Sequence, residues 1–298
     1  MPISPSGQVI RRRPPCARTG ITRSLRCLHG EVGPSDDAWE SKRSRTPLPS
    51  VSVMTVTFRF ASRPTWRIQL AITAALVLGH IVSMVVPYFG HDYTLLRLLD
   101  VNEERSAGTF YSVVGLLACA AALLVLAFAA RRRDSRWRGD PLWWLGLSAL
   151  FVFMSADEGL ALHEVLMVHI RKALHASGVL YYAWVIPYSG LVLVVVLLYA
   201  RFLLRLPRTI AIQFVIAGAV YVGGAVGLEM VAGYMVETRG YGERSLPMEI
   251  EYLVEETMEM VGAAYFLTAM LRYIELGGQP LQLTVTMPDS TEPRHGDP

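Results

Sequence analysis

An all-α, polytopic membrane protein with six transmembrane helices in one bundle is what this 298-residue sequence predicts. Composition is the first reason. Hydrophobic residues make up 52% of the chain and charged residues only 18%, against roughly 25% charged in an ordinary soluble domain. The mean hydropathy is +0.36. So little polar surface cannot cover a water-facing core, which argues against a soluble enzyme or a disordered regulator. Hydropathy pattern is the second reason: six apolar stretches approach the ~20 residues that cross a bilayer as a helix, and none contains Lys or Arg. The third is that arginines crowd every second connection, as they do in cytoplasmic loops.

Along the chain, residues 1–53 are rich in Arg, Pro and Ser and lack apolar periodicity. They are expected to be a disordered leader, or a stretch upstream of a true start at Met54. Nine of the 28 basic residues and four of the 25 acids fall there. The basic balance therefore belongs to the leader, and no nucleic-acid surface is implied for the rest. The transmembrane domain is expected over 54–275, with stretches at 68–88, 110–130, 142–163, 179–200, 209–232 and 250–271. Arg59, Arg63 and Arg67 precede the first stretch. Arg131, Arg132, Arg133, Arg136 and Arg138 follow the second, Arg201, Arg205 and Arg208 the fourth, and Arg272 the sixth. Both termini are thus expected in the cytoplasm of a bacterial inner membrane, with loops 89–109, 170–178 and 233–249 facing outward. Tyr93–Asp100 is expected flat at the outer interface, with Ser106 and Thr109 as helix-cap candidates. Trp143-Trp144 and Tyr181-Tyr182 read as interfacial anchors, and Pro187 as a kink in the fourth span. Gly218, Gly223, Gly224 and Gly227 suit close helix packing in the fifth. Residues 276–298 are expected to be a disordered cytoplasmic tail. Past the leader, Cys119 is the one cysteine, so neither a disulfide framework nor a cysteine zinc site is expected there.

The chemistry concentrates in acids. The third stretch carries Asp157, Glu158, His163 and Glu164; the fifth ends on Glu229; the sixth opens with Glu249 and Glu251 and continues through Glu255, Glu256 and Glu259. On a straight helix, Asp157 and Glu164 share a face, as do Glu255 and Glu259. With the topology above, all of these groups lie in the outer half of the membrane, and His80 lies at the same level. A carboxylate near the bilayer centre costs about 2.5–3.5 kcal/mol on insertion scales, so the group should face the bundle interior. No Lys or Arg in any span offsets them. Protons, a metal cation or outer-loop arginines must supply the positive charge. Carboxylates with imidazole suit a divalent first-row metal such as Zn, Mn or Fe. The expected ligands are Asp157, His163, Glu164, Glu229, Glu255 and Glu259, with Glu256 or Glu158 either holding those ligands by hydrogen bonds or serving as general base. Glu249 and Glu251 read as solvated helix-end residues, His169 as interfacial, and His80 as a core histidine bonded to a backbone carbonyl. Asp100–Ser106 reads first as a helix-capping loop and second as a lid over the same cavity.

The strings Asp100-Val-Asn-Glu-Glu-Arg-Ser-Ala-Gly-Thr-Phe-Tyr-Ser, Ser155-Ala-Asp-Glu-Gly-Leu-Ala-Leu-His-Glu, Trp184-Val-Ile-Pro and Glu255-Glu-Thr-Met-Glu-Met resemble those of a broad group of uncharacterised bacterial six-span integral membrane proteins. The resemblance covers roughly 66–275. It implies the six-span architecture and carries no assigned activity. Three functions remain open. One is a metal-binding membrane protein, extending to a metal-dependent enzyme whose metal activates water against a lipid-phase substrate. The second is a proton- or cation-coupled small-solute transporter. The third is a non-catalytic membrane subunit or assembly factor. The bilayer is the one expected partner.

Overall fold

The computed structural model describes residues 51–58, 61–86, 94–103, 105–131, 141–242, 244–277 and 281–288. Most of the expected leader and half of the expected tail lie outside these residues, as do Arg59, Arg132, Arg133, Arg136 and Arg138. The described chain is helical apart from a two-stranded sheet of β1 (Val51–Phe58) and β2 (Leu281–Pro288). β2 falls in the segment read as tail.

The helices are α1 (Ser62–Val85), α2 (Ala107–Arg131), α3 (Pro141–Leu160), α4 (Leu162–Leu174), α5 (Val185–Leu203), α6 (Arg208–Val222), α7 (Glu229–Arg239) and α8 (Leu246–Leu276). A π-helical turn, Gly223–Leu228, joins α6 to α7, so 208–239 is one continuous helix. Four helices are long and apolar enough to cross a membrane: α1, α2, α5 and the 208–239 run. α3 and α4 add a fifth if the bent pair is one span. α8 is the longest single α-helix, 31 residues, but its acids lower its apolarity.

α2 packs on α3, and α8 packs on α1, α2 and α6. Their shared core holds Leu116, Cys119, Leu123, Trp144, Phe266 and Met270, all buried. The outward surface is the reverse of a soluble protein's. Phe110 is 72% exposed and Leu197 68%, as suits helices apolar enough to cross a membrane. α1 and α8 run antiparallel. At one end the Ser62 N–H and Oγ donate to the Glu275 carboxylate at 2.7 Å each; at the other His80 meets Glu249.

Several local expectations change. Trp144 is wholly buried, tilted against Tyr273 and edge-on to Phe202, so it is a core residue rather than an interfacial anchor. Pro187 sits in the first turn of α5, where no N–H is needed, rather than inside a span. The residues before it, Gly178–Leu180, form a short 3-10 turn. Among the glycines, a Cβ on Gly224 would lie 2.9 Å from the Glu255 carbonyl oxygen, whereas Gly218 and Gly227 face open space. Gly262 on α8 is the closer crossing, with a Cβ only 2.8 Å from the Tyr221 nitrogen. Ser106 does cap α2: its Oγ accepts the Thr109 N–H at 3.1 Å.

The largest change is in the third stretch. It is not one straight helix. Ala161 adopts a left-handed conformation (φ 48°, ψ 45°), and α4 leaves α3 at 80°. The Asp157 carboxylate accepts the His163 backbone N–H at 3.0 Å, satisfying an orphan donor of the α4 first turn. α4 buries none of its residues. It also fills much of what was read as the 170–178 loop.

Candidate functional site

Two polar centres lie within the helical fold. The first is the acid cluster expected from sequence. Asp157 near the end of α3 takes hydrogen bonds from the Tyr188 hydroxyl (2.7 Å) and the His163 N–H, and its other oxygen lies 3.4 Å from His163 Nδ1. The His163 ring packs 5.0 Å from Trp184, whose indole N–H donates to Glu229 at 3.0 Å. Glu229 and Glu255 act on each other electrostatically. Tyr221 of α6 donates to Glu259. Glu158, Glu256 and Glu259 act on one another electrostatically. Thus α3, α6–α7 and α8 do bring Asp157, Glu158, His163, Glu229, Glu255, Glu256 and Glu259 together.

Glu164 stands apart. The break at Ala161 turns it off the Asp157 face, and its side chain is exposed, although it remains in electrostatic reach of His163. The straight-helix argument that paired it with Asp157 fails because α3 ends before it. Glu251 reverses the other way. Expected to be solvated, it is 7% exposed, and neither carboxylate oxygen has a hydrogen-bond partner. It acts electrostatically on both Glu229 and Glu255.

The second centre joins α1, the loop before α2 and the start of α8. His80 is completely buried. Its Nδ1 faces both the Val101 N–H and the Asp100 carboxylate, each at 3.2 Å. A bare Nδ1 accepts from Val101; a protonated one donates to Asp100. The expected backbone-carbonyl partner is therefore replaced by a carboxylate and an amide. On the other side of the ring, Nε2 is buried without a hydrogen-bond partner, 3.9 Å from Glu249 Oε2. Glu249, expected to be solvated, is 9% exposed. Arg244 lies over the acids, at 2.9 Å from Asp100, 2.6 Å from Glu103 and 3.5 Å from Glu249. Burial works to raise the Asp100 carboxyl, but hydrogen bonds from His80 and Arg244 outweigh it and hold the group below its ordinary value. Hydrogen bonding to Asp100 in turn raises the Arg244 guanidinium.

His80, Asp100 and Glu249 each offer a ligand atom, all within 4.8 Å of one another. Among the described residues, no other group of three His, Cys, Asp or Glu side chains reaches that spacing. Of the six ligands expected from sequence, Glu164 stands apart, and no three of the six reach this spacing. The signal that could have found His80 and Glu249 was depth. His80 comes late in a helix running outward and Glu249 early in one running back.

Helices suited to a membrane and a buried His/Asp/Glu group define a multi-pass helical membrane protein with a centre able to hold a metal ion. Residues 69–274 match the family described as Domain of unknown function (DUF8692), and the chain belongs to that family. No curated protein and no solved structure matches it.

Proposed function

We propose that this chain is a six-span protein of the bacterial cytoplasmic membrane, with both termini inside, that holds a divalent transition metal between His80, Asp100 and Glu249. The antiparallel pairing of α1 and α8 supports the sixth span. From Ser62 to His80 α1 advances ~27 Å at 1.5 Å per residue, and α8 accompanies it from Glu275 back to Glu249. A helix that follows a span from end to end crosses what that span crosses. The arginine pattern supports the orientation, and places the metal centre at the outward end.

The observation that carries the metal reading is His80 Nε2: a buried ring nitrogen with no partner, facing a carboxylate oxygen beyond hydrogen-bond reach. Metal bonds of ~2.0–2.1 Å set two donor atoms ~3.3–4 Å apart around one ion, and the 3.9 Å gap fits. Asp100 Oδ1, 3.2 Å from the ring's other nitrogen, completes the group of three ligand atoms within 4.8 Å. The mixed N/O donors suit Zn, Mn or Fe. Three protein ligands leave a coordination position for water, the arrangement of a metal-dependent enzyme acting on a lipid-phase substrate. Glu158 and Glu256, read from sequence as general bases, belong to the acid cluster.

Elemental analysis of the detergent-purified protein tests this. One transition-metal ion per chain is expected, lost in His80→Ala and Glu249→Gln. A folded wild-type protein that takes up none of Zn, Mn or Fe overturns the proposal. Metal that survives both substitutions but leaves on Glu259→Ala would move the centre to the acid cluster.

A further inference from the structure

Among the described α-helices, α4 alone buries none of its residues. We infer that α4 lies in the plane of the membrane surface and that its C-terminal end, with the turn after it, binds the phosphate of an anionic phospholipid. This goes beyond the metal centre. It needs α3 and α5 to cross the membrane, and it needs neither a metal nor a particular leaflet.

The placement follows from lengths and one angle. α3 has 20 residues and advances ~30 Å, the thickness of the hydrocarbon core. The chain has therefore reached a surface at Leu160. α5 is apolar enough to cross a membrane, and it takes the chain back from Val185. What lies between stays on one side. α4 leaves α3 at 80°, so beside an upright α3 it runs nearly parallel to the surface. Its 13 residues, ~20 Å, are too few to span. Its pattern suits that position. Leu162, Leu166, Ile170 and Ala173 share one side, and Glu164 and Arg171, seven apart, share the other. Val165 is 64% exposed and Leu166 43%. Acyl chains cover such side chains on a helix at this depth. Tyr181 and Tyr182, edge-on at 5.0 Å just before α5, mark the same level, where amphipathic rings collect.

The headgroup follows from the polar end. A pocket of about 490 Å³ is lined by Arg171, Lys172, His175 and Ser177 on one side and by Glu237 of α7 on the other. The Arg171 guanidinium lies over the Tyr181 ring, 3.7 Å from its centroid. That contact holds the side chain by its face and leaves its N–H edge for an anion. Among the described residues, neither Arg171 nor Lys172 forms an ion pair. Glu237, the acid of the pocket, accepts the Gly178 N–H. Two cations, an imidazole and a hydroxyl thus converge where a lipid phosphate sits, and phosphate oxygens accept hydrogen bonds from all four. Unspent positive charge favours a headgroup with net negative charge over a zwitterionic one. The acyl chains then run down beside Val165 and Leu166.

Native mass spectrometry of the full-length protein in detergent, titrated with phosphatidylglycerol and separately with phosphatidylcholine, tests the headgroup. Phosphatidylglycerol should bind several-fold more tightly. One basic side chain near an anionic lipid surface is worth about fivefold. Arg171→Gln combined with Lys172→Gln should therefore weaken phosphatidylglycerol binding by at least about tenfold, down to the phosphatidylcholine level. Nitroxide labels in liposomes of both lipids test the placement. Leu166→Cys and Glu164→Cys put labels about 160° apart on the helix, and Cys16→Ser and Cys27→Ser remove competing thiols, Cys119 being buried. The label at 166 should collide mainly with oxygen, and the label at 164 with a water-soluble nickel chelate. Size-exclusion profile and thermal unfolding establish that each variant is folded. Phosphatidylglycerol that binds no better than phosphatidylcholine, or that binds the folded double variant like wild type, overturns the headgroup assignment. Two labels equally open to the nickel chelate overturn the placement. A wild-type dimer that Leu166→Ser dissolves overturns both and makes this face an interface between copies of the chain.

Discussion

Gly262→Ala is a one-methyl change whose consequence follows from the crossing of α6 and α8. The new Cβ would stand 2.8 Å from the Tyr221 nitrogen and 2.9 Å from its Cα and Cβ. These are backbone and near-backbone atoms of a helix interior, so no side-chain rotation relieves them. The helices must separate by several tenths of an ångström or more. Overpacking of this kind costs about 1–3 kcal/mol. Against it stands the gain of about 0.8–1 kcal/mol when Ala replaces Gly in a helix. The crossing term wins, and net destabilisation of up to about 2 kcal/mol is expected. Gly218→Ala is the matched control: its Cβ meets nothing within 4 Å, so the propensity gain should stand alone and stabilise slightly. Thermal unfolding in detergent reads both. At roughly 2–4 °C per kcal/mol for a chain of this size class, Gly262→Ala should melt several degrees below wild type and Gly218→Ala at or above it. Equal melting temperatures for the two variants would refute the close crossing.

Two further outcomes are expected. Ala161→Gly relieves a left-handed conformation that costs a residue with a Cβ about 1–2 kcal/mol. It should raise the melting temperature, and a drop would mean that the bend is not held at Ala161. The Asp100–Arg244 contact should depend on pH in metal-free protein. A carboxyl lowered on folding contributes stability that is complete above its unfolded value and is lost as pH falls through the lower folded value. The contribution should therefore persist at pH values where ordinary carboxylates already protonate, about 4. In Arg244→Met its loss should begin at higher pH. Melting temperature against pH for the two proteins checks this, and superimposable acid limbs would count against the contact.

Much of the architecture is legible in one dimension. A span must satisfy its backbone internally and match the bilayer thickness, so apolar runs alone locate α1, α2, α5 and the 208–239 helix. The cost of burying charge in lipid is likewise a property of composition and depth. That is why Asp157, Glu158, His163, Glu229, Glu255, Glu256 and Glu259 are expected from sequence to face the bundle interior. The break in the third stretch was not legible, because Ala161 carries no turn signature. Its left-handed conformation is sustained by a contact six residues long, from Asp157 to His163.

What the amino-acid sequence determined by itself was which segments are long and apolar enough to cross a membrane and that acids within them are costly in lipid, since both follow from local transfer energies. Which acids become partners was decided only by the tertiary structure. His80 and Glu249 are 169 positions apart in number, and a metal-sized gap between them exists only because α1 and α8 run antiparallel in contact. Glu251 is stranded without a donor for the same reason. Spacing along a chain fixes faces of a single helix, whereas the distance between two helices is set by the small residues at their crossing.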